Sequence, residues 1–101
     1  MRLTPHQIHA IKTVTEEVFG AGAKALLFGS RVDDAKRGGD IDLYITDIAL
    51  DAGERFDAKI RFLVELKRRI GEQRVDVVLA PAQGEAILPI HRRAQLEGVL
   101  L

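Results

Sequence analysis

Cysteine is absent from the 101 residues of this chain, and so is tryptophan. Without thiols there is no disulfide staple, no cysteine nucleophile and no thiolate metal site, so oxygen or imidazole must hold any metal that binds. A surplus of charge is missing too. Fifteen Lys and Arg balance fifteen Asp and Glu, which argues against a nucleic-acid binder that relies on bulk positive charge. Apolar runs extend over a few residues only, and Met1 to Pro5 lacks the apolar stretch of a signal peptide. No membrane segment is expected, and a cytoplasmic protein is the expectation. No G-x-x-x-x-G-K-[S/T] element is present, so the usual P-loop is excluded. Gly20 to Ala25 satisfies G-x-G-x-x-A in letters, yet it precedes an apolar run instead of following one and opens no helix, so it reads as a helix stop.

What remains is 47% hydrophobic and 30% charged, the balance of one soluble globular domain spanning residues 1–101. Thr4 with Gln7 forms a capping-box pattern around Pro5, and Ile8, Ile11, Val14 and Val18 recur at helical spacing, predicting a helix over 5–19. Lys24–Phe28 is a short apolar run between glycines and reads as a buried strand. Residues 31–39 leave space for one or two helical turns before a second strand over 40–46. Asp51 with Glu54 opens the longest helix, whose core stripe is expected at Phe56, Ile60, Leu63, Val64 and Ile70, with Gly71 as its C-terminal cap. Val75–Leu79 is a third strand ended by Pro81. A last helix runs over about 89–97, and Val99 to Leu101 suffices for a short edge strand. The fold class is therefore α/β, a small mixed sheet covered by helices, in the order α-β-α-β-α-β-α with a short C-terminal strand. The pattern does not give the sheet order.

Chemistry concentrates between Phe28 and Leu43. Residues two apart on a strand share a face and lie about 6.6–6.8 Å apart along it, so Asp40 and Asp42 project together while Ile41 and Leu43 face the core. A one-residue slip would bury both aspartates. Two carboxylates so close raise one another's pKa unless a cation intervenes, and Mg²⁺, which takes hard oxygen ligands, is the natural partner. Asp76 offers a third carboxylate on the third strand and joins the cluster if that strand neighbours the second. Gly29 and Ser30 supply the complementary half. A glycine lets a phosphate approach the backbone, the serine adds a hydroxyl donor, and Arg31 can reach a phosphate oxygen.

Gly29-Ser30, nine intervening residues, Asp40-Ile41-Asp42 and then Asp76 on a later strand match, in order, the signature of the minimal nucleotidyltransferases of the DNA polymerase beta superfamily, which this chain resembles over nearly its whole length. The resemblance implies transfer of a nucleoside monophosphate, AMP from ATP as the leading expectation, to an acceptor hydroxyl with release of pyrophosphate. It implies one or two Mg²⁺ ions held by Asp40, Asp42 and Asp76, the last a candidate proton acceptor, and outer phosphates cradled by Ser30 and the Gly29 backbone. Larger relatives carry an added acceptor-binding domain that 101 residues leave no room for, so the acceptor is expected on another chain. Small members of this kind resemble the antitoxin halves of two-gene modules whose partner is an all-helical HEPN protein, which the nucleotidyltransferase silences by adenylylating a tyrosine.

Two rival functions stand beside this one. The first is a binding module that neutralises a partner by occlusion without chemistry. The second is modification of a small molecule of aminoglycoside type. Other polar residues have simpler readings. His6 and His9 lack a carboxylate companion and read as surface residues. Lys67, Arg68 and Arg69 complement a helix C-terminus. His91, Arg92 and Arg93 face either a ligand or solvent. Lys36 and Arg37 stand where they can offset triphosphate charge, and Tyr44 either flanks the carboxylate face or packs. The sequence leaves the oligomeric state open, including a homo-oligomer.

Overall fold

A computed structural model describes residues 3–29 and 40–101. Among them are three helices and four strands: α1 (Pro5–Phe19), β1 (Lys24–Phe28), β2 (Ile41–Thr46), α2 (Ala52–Ile70), β3 (Val75–Leu79), α3 (Pro89–Glu97) and β4 (Val99–Leu100). The helix or turn expected over 31–39 lies outside the described residues.

Local chemistry sets the boundaries. At α1 the Thr4 hydroxyl accepts from the Gln7 N–H at 3.1 Å while the Gln7 side chain accepts from the Thr4 N–H at 2.9 Å, so two donors at the helix start are satisfied reciprocally. The Asp51 carboxylate accepts from the Glu54 N–H at 3.1 Å and opens α2. Gly71, at φ 85°, closes that helix in the left-handed region that a side chain disfavours. Lys67, Arg68 and Arg69 occupy its last turn, where cations meet the negative end of the helix dipole.

The sheet has the order β3-β2-β1-β4. β1 is antiparallel to both β2 and β4, and β2 is parallel to β3. A parallel pair needs a long crossover, and α2 provides it. Alternation then divides the sheet into two faces. Leu27, Ile41, Leu43, Ile45, Val75 and Val77 point to the side covered by α1 and α2, where they pack with Ile11, Val14, Phe19, Phe62 and Leu66. Phe19 and Phe62 meet with ring centroids 5.5 Å apart. The other face carries Phe28 and Tyr44, packed against Ala94 of α3 with Leu26, Val78 and Ala80 around them.

One expectation fails at α2. Its buried positions are Ala58, Phe62 and Leu66, with Leu63 and Ile70 packed at the margin, whereas Phe56, Ile60 and Val64 are 70%, 47% and 47% exposed. At 100° per residue, Phe56, Ile60 and Val64 form a row on the side of the helix away from Phe62. The sheet engages only one of these two apolar rows. Among the described residues no helix is long and apolar enough to cross a membrane.

Candidate functional site

The end of β1 and the beginnings of β2 and β3 meet at one end of the sheet. Asp42 stands in register with Asp76 across the parallel pair, and with Phe28 across the antiparallel one. Strand neighbours lie about 4.8 Å apart, so two carboxylates emerge side by side from adjacent strands. Both are on the face opposite Leu43 and Val77, which are buried against α1 and α2. The same alternation that fills the core aims Asp42 and Asp76 outward together.

Gly29 follows Phe28 with φ 79° and lies directly beneath Asp42. A Cβ on Gly29 would overlap the Asp42 Oδ2 atom and approach its Cγ to 3.2 Å. Glycine is required there twice, by the backbone conformation and by the carboxylate that rests on it. Asp40 sits immediately before β2. The Ile41 N–H donates to the Arg74 carbonyl at 3.0 Å, joining the chain at Asp40 to the start of β3, and Arg74 Nε lies 3.6 Å from Asp40 Oδ2.

The carboxyl pKa of Asp42 is raised. Its partial burial is the largest cause, followed by the charges of Asp76 and then Asp40, with Arg93 acting in the opposite direction. Arg93 reaches this face from α3, where its Nε also donates to Glu97 at 3.0 Å. Among the described residues no three acidic or histidine side chains converge tightly enough to form a ready-made metal cage. The arrangement is a carboxylate pair, Asp42 with Asp76, and a third carboxylate at its edge.

Each residue singled out in the sequence has a definite place or falls outside the described part. Asp40, Asp42, Asp76 and Gly29 are brought to one end of the sheet. Ser30, Arg31, Lys36 and Arg37 lie outside the described residues. Tyr44 shares the carboxylate face but is fully buried, and its hydroxyl accepts from Gln95 Nε2 at 3.1 Å. It is a packing residue. His91 is buried as well, its Nδ1 accepting from the Leu88 N–H at 2.9 Å, which satisfies a donor at the start of α3. Arg92 is exposed. His6 and His9 are exposed on α1, and His6 Nε2 donates to the Arg69 carbonyl at 2.9 Å.

Two contacts of the carboxylates are not given by the sequence, which leaves Arg93 facing either a ligand or solvent and assigns Arg74 no partner. The approach of Arg93 depends on how α3 crosses the sheet, and the pairing of Arg74 with Asp40 depends on strand order. Glycine followed by serine at a strand end signals a special backbone, but nothing in it says which side chain lies against that backbone. A separate cavity of about 390 Å³ opens between the start of α2, the end of β3 and α3. Arg55 spans its wall, donating to the carbonyls of Leu50 and Ala80. Ala80 is four residues along the chain from Asp76, at the opposite end of β3. No model of a known protein family matches the chain, and no curated protein does either.

Proposed function

We propose that this chain is a Mg²⁺-dependent nucleotidyltransferase of the minimal, polymerase beta-like type, transferring AMP from ATP to a hydroxyl of a partner protein. The observation that carries the reading is the register of Asp42 with Asp76 across a parallel strand pair, on the face where the Gly29 backbone ends β1. The sequence motif requires these residues to meet, and here they are neighbours.

The donor set fits magnesium. It consists of hard carboxylate oxygens, and their mutual repulsion, expressed in the raised pKa of Asp42, is what a divalent cation relieves. Mg²⁺ is commonly bound through one or two carboxylates together with substrate phosphates instead of an all-protein cage, so a carboxylate pair is adequate. Asp42 and Asp76 would hold the ion, with Asp40 as a third ligand once released from Arg74. When bound, the ion lowers the pKa of an attacking hydroxyl and neutralises charge on the departing pyrophosphate. Asp76, the more exposed of the pair, is the proposed acceptor of the hydroxyl proton. Gly29, whose missing side chain makes room for the Asp42 carboxylate, ends β1 beside the proposed ion, and Ser30 and Arg31 follow it in sequence as the proposed donors to phosphate oxygens. Arg93 adds positive charge on this face, where the triphosphate would bring negative charge.

The acceptor proposed is a small helical protein of HEPN type, which makes this chain the antitoxin of a toxin–antitoxin pair. The test is incubation of both proteins with Mg²⁺ and ATP labelled in the α-phosphate. Label is expected on the partner, with Asp42→Asn and Asp76→Asn each lowering transfer by about 100-fold or more. Transfer that survives Asp42→Asn overturns the site assignment. A partner neutralised equally well by the Asp40→Asn, Asp42→Asn double variant, without label, identifies an occlusion module. Label on an aminoglycoside in the absence of any partner protein identifies a small-molecule enzyme.

A further inference from the structure

The outer row of α2 is an apolar feature that the fold leaves uncovered on a helix, as Ile90 and Leu96 are on α3. Phe56, Ile60 and Val64 are spaced by four residues, so they form a ridge inclined to the helix axis, and the most exposed of them is an aromatic ring. Its position separates it from the carboxylates. α2 presses Ala58, Phe62 and Leu66 onto the face of the sheet opposite Asp42 and Asp76, and the ridge lies on the far side of the same helix. The ridge is therefore independent of the proposed transfer reaction.

The charges beside the ridge are ordered along the helix. Glu54 and Asp57 come first, Arg61 and Arg68 follow, and on the helical projection all four lie on one flank. Glu54, Asp57 and Arg61 line one shallow groove of about 250 Å³ together with Gly53 and Ala58, which places them on the same side of α2. An acidic first half and a basic second half make the flank complementary to itself when reversed. Two antiparallel copies related by a two-fold axis through Ile60 bring Asp57 near Arg61 of the mate twice. The same operation stacks Phe56 on Val64 and Ile60 on its own symmetry mate.

We propose that α2 is the interface of a homodimer, formed by antiparallel packing of the Phe56–Ile60–Val64 ridge against a second copy of this chain. Self-complementarity under a two-fold axis is the defining property of such an interface, since each contact is made twice. The contact strip from Gly53 to Arg68 is about 24 Å long at 1.5 Å per residue. That is small for a stable interface, so association is concentration-dependent with a dissociation constant on the order of micromolar.

Sedimentation equilibrium on the full chain tests this, with helical circular dichroism to confirm that each surface variant is folded. Wild type is expected to shift from monomer to dimer as concentration rises to about 100 µM. Ile60→Glu places two carboxylates on the axis and is expected to remain monomeric throughout. Asp57→Arg and Arg61→Asp are each expected to weaken the dimer about 10-fold or more, because each sets like charges opposite one another. An equimolar mixture of those two variants restores the opposite-charge pairs and is expected to form a heterodimer, and the double variant is expected to dimerise by itself. A wild-type chain still monomeric at about 100 µM overturns the proposal. So does a dimer that survives Ile60→Glu, or charge swaps that fail to restore association.

Discussion

Asp42 is held in a conflict that its protein alone does not resolve. Burial and two carboxylate neighbours raise its pKa, and Arg93 offsets only part of that. A carboxyl group whose pKa is higher in the folded than in the unfolded chain favours folding while protonated in both states, and that contribution is lost as pH rises from the unfolded pKa through the folded one. Asp42→Asn is therefore expected to raise the thermal midpoint at neutral pH, with the gain shrinking as pH falls through the raised pKa of Asp42 and gone below about 4, the ordinary carboxylate range. Thermal melts across that range check the sign. Mg²⁺ is expected to raise the midpoint of wild type and to do so less for Asp42→Asn. Gly29→Ala is expected to cost about 1–2 kcal/mol from its positive φ and also to displace the Asp42 carboxylate, so denaturation and transfer should both register it. At this scale the aspartates were legible because strand alternation is a local rule. Arg93 was not, since its approach depends on a helix fifty residues further along the chain.

The boundaries of α1, β1, β3 and α3 follow from signals within a few residues, such as the Thr4–Gln7 reciprocal cap and the glycines beside β1. The buried face of α2 does not. That helix carries two apolar rows, and periodicity scores both alike. Only the sheet, with Ile41, Leu43 and Val77 beneath it, decides which row is covered. A paired measurement separates them. Phe62→Ala is expected to cost about 3–5 kcal/mol in chemical denaturation. Phe56→Ala at low protein concentration should stay within about 0.5 kcal/mol.

Across the molecule the sheet order was the missing quantity, and it decides whether the carboxylates meet. Asp76 reaches Asp42 because β3 pairs with β2 in parallel, which α2 makes possible but no local pattern dictates. On the opposite edge, β4 is two residues long, yet it pairs with β1, and the Leu101 N–H donates to the Ala25 carbonyl at 3.0 Å. Removing residues 98–101 would open the edge of β1, a strand whose Ala25, Leu27 and Phe28 are buried. The truncated chain is expected to lose stability and to aggregate on heating, as light scattering would show, because an open apolar edge invites intermolecular pairing.

The pairing of β2 with β3 carries a consequence for how such a chain can change over generations. Along residues 41–45 and 75–79, odd-numbered positions fill the interior while Asp42 and Asp76 serve the surface, so a single codon gained or lost within either strand would exchange the two roles beyond it. Novelty in these strands must come by replacement of one side chain at a time, and changes in length are confined to the segments that connect them.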